Sequence, residues 1–415
     1  IPKAALVDYE FIGELALSGE VRAVPGVLPF VLAAKQAKKK VILPQDNAPE
    51  ASLIADITLY PTHHLIRVYQ HLIKQECLNK ANTVTLQRKL EEDIQSEQTL
   101  DMSDIVGQSV AKRALEIAAA GEHHILFTGP PGTGKTMLAN RLPGILPEMT
   151  EQEALETAAV TSISQRASIT KSWKRRAFRS PHHTCTAAAL IGGGSHPRPG
   201  EVSLANHGIL FLDELTEFNR HVLDVMREPL ESGNVTISRA ARQATFPAKF
   251  QLVAAMNPSP TGDVDDGRTS SDVILRYLSR ISGPFLDRID LQVEVARLPS
   301  DEFEQAIQQK GEPSQAVKAR VLAAREAQLQ RVGKTNAQMT GVEIRDTCAL
   351  SAQDQAFLNT AVLKLGLSIR SYHRILKVAR TIADLDQSPQ IQRQHLAEAM
   401  SYRALERLIR RLRDN

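Results

Sequence analysis

His124-Ile125-Leu126-Phe127-Thr128-Gly129-Pro130-Pro131-Gly132-Thr133-Gly134-Lys135-Thr136 is the stretch of this chain that decides its fold. Its first five residues form an apolar run suited to a strand covered on both faces. The next eight fit G-x-x-x-x-G-K-[ST], and helix-forming residues follow from Met137. A chance glycine-rich turn would lack that strand before it and that helix after it. Glycines let backbone N–H groups approach phosphate oxygens, and the positive end of the following helix adds to the attraction. The spacing therefore predicts a nucleotide cradle over Gly129, Pro130, Pro131, Gly132, Thr133, Gly134, Lys135 and Thr136. Lys135 is expected to reach the β- and γ-phosphates, and Thr136 to hold Mg²⁺. ATP and Mg²⁺ are the cofactors this implies.

Two more apolar runs complete the pattern. Gly208-Ile209-Leu210-Phe211-Leu212 ends in Asp213-Glu214, an acidic strand end in which Asp213 is assigned to Mg²⁺ through water and Glu214 to the attacking water. Phe250-Gln251-Leu252-Val253-Ala254-Ala255-Met256 ends in Asn257-Pro258. Asn257 is expected to read the γ-phosphate, although Asn-Pro also favours a plain turn.

The surrounding composition bounds the rest. With 415 residues and 42% hydrophobic side chains, two or three domains with full cores are expected. Aromatics are 4%, which disfavours base stacking on aromatic platforms. The net charge of +3 is compatible with nucleic acid without arguing for it. The scattered Cys77, Cys185 and Cys348 have no CxxC spacing, so a reducing cytoplasm fits and a zinc knuckle or disulfide framework does not. No apolar run is long enough for a membrane span. The chain opens on Ile1 rather than Met, so a fragment of a longer chain lacking part of its first domain is expected. The pattern divides into residues 1–77, with short β-like runs; 78–101, a charged linker helix; 102–300, an α/β domain with a parallel sheet; and 301–415, helical.

Phosphate loop, acidic strand end and polar strand end, in that order, resemble an AAA+ ATPase. Phe178-Arg179-Ser180-Pro181-His182-His183-Thr184, Ala189-Leu190-Ile191-Gly192-Gly193-Gly194, Pro199-Gly200-Glu201-Val202 and Ser282-Gly283-Pro284-Phe285-Leu286-Asp287-Arg288-Ile289-Asp290 narrow this. They resemble the ComM/YifB group of magnesium-chelatase-like AAA+ proteins over nearly the whole chain. The resemblance implies a three-layer α/β core with a helical lid over 337–415, preceded by an inserted helical segment over 301–336. It also implies a ring-shaped, hexameric DNA helicase that promotes branch migration while DNA is integrated in natural transformation. By the same pattern Arg288 matches an arginine finger that enters a neighbour's ATP site, a task suited to a planar, permanently charged group. Arg370 matches a second sensor, with Arg374 as its rival. Arg227 is a weaker candidate at the subunit boundary.

Members of this clade resemble one another in carrying two hairpins that face a ring pore. One is expected within 190–202, with Arg198 near its turn. The other is expected over 231–248, with Arg239 and Arg242 near its tip and Lys249 at its base. Such cations would track a phosphate backbone without reading sequence. A solvated loop is the plain alternative, as it is for Lys171, Lys174, Arg175 and Arg176. His182 and His183 are expected to point apart and lack companions for a metal. Many relatives carry an Asn-Pro-Cys-Pro-Cys-Gly pattern where this chain has Asn257-Pro258-Ser259-Pro260-Thr261-Gly262, so zinc has no ligands there. The C-terminal arginines Arg403, Arg407, Arg410, Arg411 and Arg413 are expected on a surface of one helix over 392–413.

Gly13-Glu14-Leu15-Ala16-Leu17-Ser18-Gly19 and Val41-Ile42-Leu43-Pro44 resemble the second half of the Lon protease fold. The lysine of that pattern would fall at Pro29, which has no base to offer a serine nucleophile. A non-catalytic domain is expected. An ATP-dependent protease, a magnesium-chelatase-type remodeller of a protein partner and an ATP-assembled scaffold stand as alternatives to the DNA motor.

Overall fold

The computed structural model describes residues 1–81, 100–164, 172–194, 197–239, 242–265, 267–297 and 311–414. The predicted linker helix over 78–101 lies largely outside them, as does the start of the segment over 301–336.

Five parallel strands form the central sheet, in the order Leu291–Glu294, Ile125–Thr128, Gln251–Met256, Ile209–Leu212 and Phe178–Arg179. The predicted phosphate-loop strand thus sits inside the sheet, beside the strand that ends at Asn257. Alternation explains the continuous apolar runs. Ile125, Phe127, Ile209, Phe211, Val253 and Ala255 point into one core, and Leu126, Leu210, Leu212, Leu252, Ala254 and Met256 into the other. Both faces are covered, so the strands are mostly apolar, and a polar side chain buried on them is bonded: Gln251 Nε2 donates to Ala118 O at 2.9 Å and to His123 O at 2.8 Å.

Helix Ser109–Gly121, the phosphate-loop helix Lys135–Ile145 and the C-terminal helices Ser314–Val332 and Ile369–Leu385 cover the first face. The C-terminal helices therefore share one core with the sheet. Local chemistry starts them: Ser368 accepts from the Ser371 amide, Ser351 from Asp354, and Thr340 with Glu343 forms a capping box. The predicted single helix over 392–413 is instead two, Arg393–Ser401 and Ala404–Asp414. The break falls where Arg403 turns inward. Its guanidinium is 1% exposed and donates to Ile289 O, Asp290 O, Ser371 Oγ and Glu406. Arg403 is thus a buried tie between the helices and the edge strand, not a surface cation.

The N-terminal region has a three-stranded parallel sheet, Lys40–Pro44 between Tyr9–Phe11 and Leu59–Thr62, covered by helix Val27–Gln36. Its core continues into Ala154 and Ala158 of helix Glu151–Ser164 and into Trp173. That explains part of the basic stretch after residue 170. Trp173 is buried, and Arg176 donates to the carbonyls of Pro147 and His207 and to Glu153. Arg176 is structural.

Both predicted hairpins form. Asn234–Arg239 pairs antiparallel with Arg242–Pro247, and Gly192–Gly193 with Arg198–Pro199. In the first ladder Val235, Ile237 and Phe246 face the second core, while Thr236 and Thr245 face out. The two hairpins pack together: a Cβ at Gly192, where φ is +111°, would meet Ile237 Cδ1 at 2.8 Å.

Candidate functional site

In a parallel sheet of this kind ligands bind beyond the carboxyl ends of the strands. Here the register puts Gly129, Asn257 and Asp213, each following its strand, along one sheet edge. Gly132 and Gly134 take φ of +80° and +89°, and a Cβ on either would meet nothing within 4 Å. The loop is therefore an open concavity that only glycine shapes without strain. Lys135 Nζ bridges Gly129 O at 2.7 Å, Pro130 O at 2.8 Å and Asn257 Oδ1 at 3.2 Å. Burial pushes its ammonium below the ordinary value, and Asp213 opposes that shift.

Thr136 Oγ1 donates to Asp213 Oδ2 at 2.8 Å, which joins two oxygen donors from elements 77 residues apart. Two oxygen ligands beside a phosphate loop fit Mg²⁺, which keeps waters and substrate phosphates as its other ligands. Among the described residues no cluster of three or more His, Cys, Asp or Glu could hold a metal by itself. In the segment after Asn257, Ser259 donates to Asp263 O and Thr261 meets Thr269 at 3.2 Å. Hydroxyl bonds close that loop.

Glu214 has φ of +52°, the left-handed region uncommon for a side-chain-bearing residue. Its carboxylate meets His183 Nδ1 at 2.9 Å. The His182 and His183 rings do not point apart. They lie at 4.1 Å between centroids, because the turn after Phe178–Arg179 puts them side by side, and His183 stands edge-on to Phe218. Sequence reasoning missed this partner of Glu214, and Ser180-Pro181-His182-His183 was the available signal.

Lys135, Asp213, Glu214 and Asn257 line one cleft of about 560 Å³ together with Arg276 and Arg280. These two arginines also went unread, although their spacing of four on helix Ser271–Leu278 and its end places them on one face. Tyr277 Oη and Thr216 Oγ1 at 2.6 Å pin this helix to the segment after Glu214, and Arg280 pairs with Glu217 at 3.4 Å.

Arg288 and Arg370 lie elsewhere. They line a second cleft of about 670 Å³ that shares no lining residue with the first. Arg288 donates to Glu231 at 2.5 Å and to Pro284 O at 2.6 Å, so its partner is neither Asp287 nor Asp290. Arg374, the rival of Arg370, is committed to Asp290 and to Arg288 O at 3.0 Å. Although burial alone would raise the Asp290 carboxyl, Arg374 and His123 hold it well below its usual range. Arg370 is exposed. Arg227 stands 3.9 Å from Asp224.

Arg239 and Arg242 stand opposite each other at the end of the hairpin ladder, and Arg198 is exposed on the smaller one. Lys249 is exposed just beyond the hairpin's base, 4.0 Å from Glu156.

Comparison with known proteins agrees with this geometry. Residues 101–303 match the family described as magnesium chelatase, subunit ChlI; residues 311–403 match its C-terminal family; and residues 2–47 match subunit ChlI of Mg-chelatase. The chain is 53% identical over 409 residues to a competence protein ComM from Haemophilus influenzae, covering 98% of this chain and 80% of that one. It is 48% identical over 407 residues to the uncharacterized protein YifB of Escherichia coli, covering 97% and 79%. A magnesium-chelatase 38 kDa subunit from Rhodobacter capsulatus is 26% identical over 333 residues, covering 74% and 87%. With its parallel α/β core and phosphate loop, the chain belongs to the magnesium-chelatase-like AAA+ family, in the ComM/YifB group.

Proposed function

We propose that this protein is an ATP-driven motor that moves along DNA as a ring of identical subunits, a hexamer, and promotes branch migration during DNA uptake. The observation that carries the ATPase reading is the separation of the two clefts. Lys135, Thr136, Asp213, Glu214 and Asn257 assemble the phosphate and Mg²⁺ end on one side. Arg288 and Arg370 stand in another cleft with no phosphate loop of their own. A head-to-tail contact between copies would bring this second pair of arginines to a neighbour's phosphate loop.

In such a junction Lys135 binds the β- and γ-phosphates, and Thr136 and Asp213 are the residues that would hold Mg²⁺, whose charge offsets that of the phosphates. Glu214 orients and deprotonates water once its bond to His183 opens, and Asn257 holds Lys135 and reads the γ-phosphate. Arg288 and Arg370 of the neighbouring copy stabilise charge on the transferred group.

The DNA reading rests on the hairpin that ends in Arg239 and Arg242, with Arg198 and Lys249 as further phosphate contacts, and on the name of the competence relative. Cytoplasmic action fits that reading. The N-terminal Lon-like region serves as a guide or spacer, since Pro29 stands in the first turn of its helix and offers no base. The helices over 337–415 form the lid. The second reading, a remodeller of a metal-inserting partner, is favoured by the chelatase-subunit relative. Turnover of ATP with and without forked DNA, coupled to movement of a branched junction, separates the two. DNA that neither binds nor stimulates turnover refutes the motor.

A further inference from the structure

Arg288 is the less exposed member of its ion pair: its side chain is 12% exposed and that of Glu231 is 70% exposed. Its Nη2 grips Glu231, its Nη1 donates to Pro284 O, and its Nε is buried without an acceptor among the described residues. The guanidinium is thus fixed on one side and short of one acceptor on the other. Glu231 is shared: the Arg288 guanidinium first, and then the Arg370 charge, hold its carboxyl below the usual range. One carboxylate stands in the field of the two cations assigned above to a neighbour's nucleotide. Carboxylate and phosphate oxygens accept from guanidinium in the same charge-assisted, two-pronged way.

Glu231 also sits at the foot of the arginine-tipped hairpin. It belongs to helix Arg227–Ser232, and the ladder begins at Asn234. The joint between is short and closed. Gly233 takes φ of +68°, Ser232 Oγ donates to Asn234 O at 3.0 Å, and it accepts from the Asn234 amide at 3.1 Å. The helix that carries Glu231 is therefore bonded directly to the first residue of the hairpin.

We propose that Glu231 is a positioning residue and placeholder anion: it holds Arg288, with Arg370 beside it, until a neighbouring subunit's nucleotide phosphate takes its place, and its release moves the foot of the hairpin. This rests on the assignment of Arg288 and Arg370 to the neighbour's nucleotide. The test measures ATP turnover against ATP concentration, with and without forked DNA, for the full chain and its Glu231→Gln, Glu231→Asp and Arg288→Ala variants, with Tm as the check on folding. Glu231→Gln removes the competing charge. The KM for ATP should fall about two- to fivefold, the range that an exposed ion pair is worth, and stimulation by DNA should shrink towards none. Glu231→Asp should restore much of both. An unchanged or raised KM in Glu231→Gln, or retained DNA stimulation, overturns the placeholder, as does a loss of kcat that tracks a lowered Tm. Wild-type turnover in Arg288→Ala removes the underlying assignment instead. An inactive Arg288→Ala beside a Glu231→Gln that behaves as wild type removes only the placeholder.

Discussion

Replacing Arg288 by Ala should stop ATP turnover while leaving nucleotide binding and the fold intact, and the structure gives the size of both effects. The side chain loses one pair to the exposed Glu231 and one bond to Pro284 O. An exposed pair is worth up to about 1 kcal/mol, so Tm should move little. An arginine delivered to the transferred phosphoryl group is worth roughly 10³–10⁵ in rate, about 4–7 kcal/mol of barrier. The catalytic loss therefore exceeds the structural one several-fold. Because Arg288 and Lys135 line different clefts, their defects should also complement. In an equimolar mixture of Arg288→Ala and Lys135→Ala chains, about a quarter of independent junctions pair an intact phosphate loop with an intact arginine. The assay is steady-state phosphate release for each variant and for the mixture, with a fluorescent nucleotide to follow binding. Turnover of the single variant within a few-fold of wild type refutes the finger. An inactive mixture of chains shown to co-assemble refutes its delivery across subunits.

Asp213→Ala and Thr136→Ala should each raise the Mg²⁺ concentration needed for half-maximal turnover, and an unchanged Mg²⁺ dependence would remove the ligand assignment. His183→Ala should change kcat, because Glu214 would lose the ring that holds its carboxylate at 2.9 Å; an unchanged kcat would mean that the contact is idle. His124 supplies a stability test. Burial pushes its imidazole down to about 4 from 6.5, and its Nδ1 accepts from the Leu252 amide at 3.0 Å. A folded pKa below the unfolded one means that stability is full above about pH 6.5 and falls as pH drops towards 4, by at most about 3 kcal/mol. Urea titrations from pH 7 to 4 should show this slope, and it should vanish in His124→Gln. Removing Arg403 leaves Glu406 and two carbonyls without their donor, so Arg403→Ala should cost about 3–5 kcal/mol; a Tm shift of less than a few degrees would contradict its role as a tie.

The phosphate loop was legible because its chemistry is local. Gly132 and Gly134 need positive φ, Lys135 and Thr136 need the first turn of a helix, and all sit within eight residues of one strand end. The other strand ends were legible for the same reason: a buried apolar run must terminate, and a polar residue at its end is easily seen. The hairpin over 234–247 was readable from alternation and turn residues. What could not be read were pairings across the chain. His183 with Glu214, Arg288 with Glu231 and Arg374 with Asp290 are separated by tens of residues, and no local rule selects one carboxylate over its neighbours. Arg403 looked like one more surface arginine on a helix, because the carbonyls it satisfies, of Ile289 and Asp290, lie just before an edge strand more than 100 residues upstream.

By itself, then, the sequence determined that a phosphate loop, an acidic strand end and a polar strand end exist, since each depends on backbone geometry and burial within a few residues. Only the tertiary structure decided which of them meet. Strand order set Asn257 against Lys135 and Asp213 against Thr136. Packing of the C-terminal helices on the first face left Arg370 in the cleft of Arg288 rather than in that of Lys135. Such placements follow from how two faces of one sheet are covered, and that is a property of the whole chain rather than of any segment.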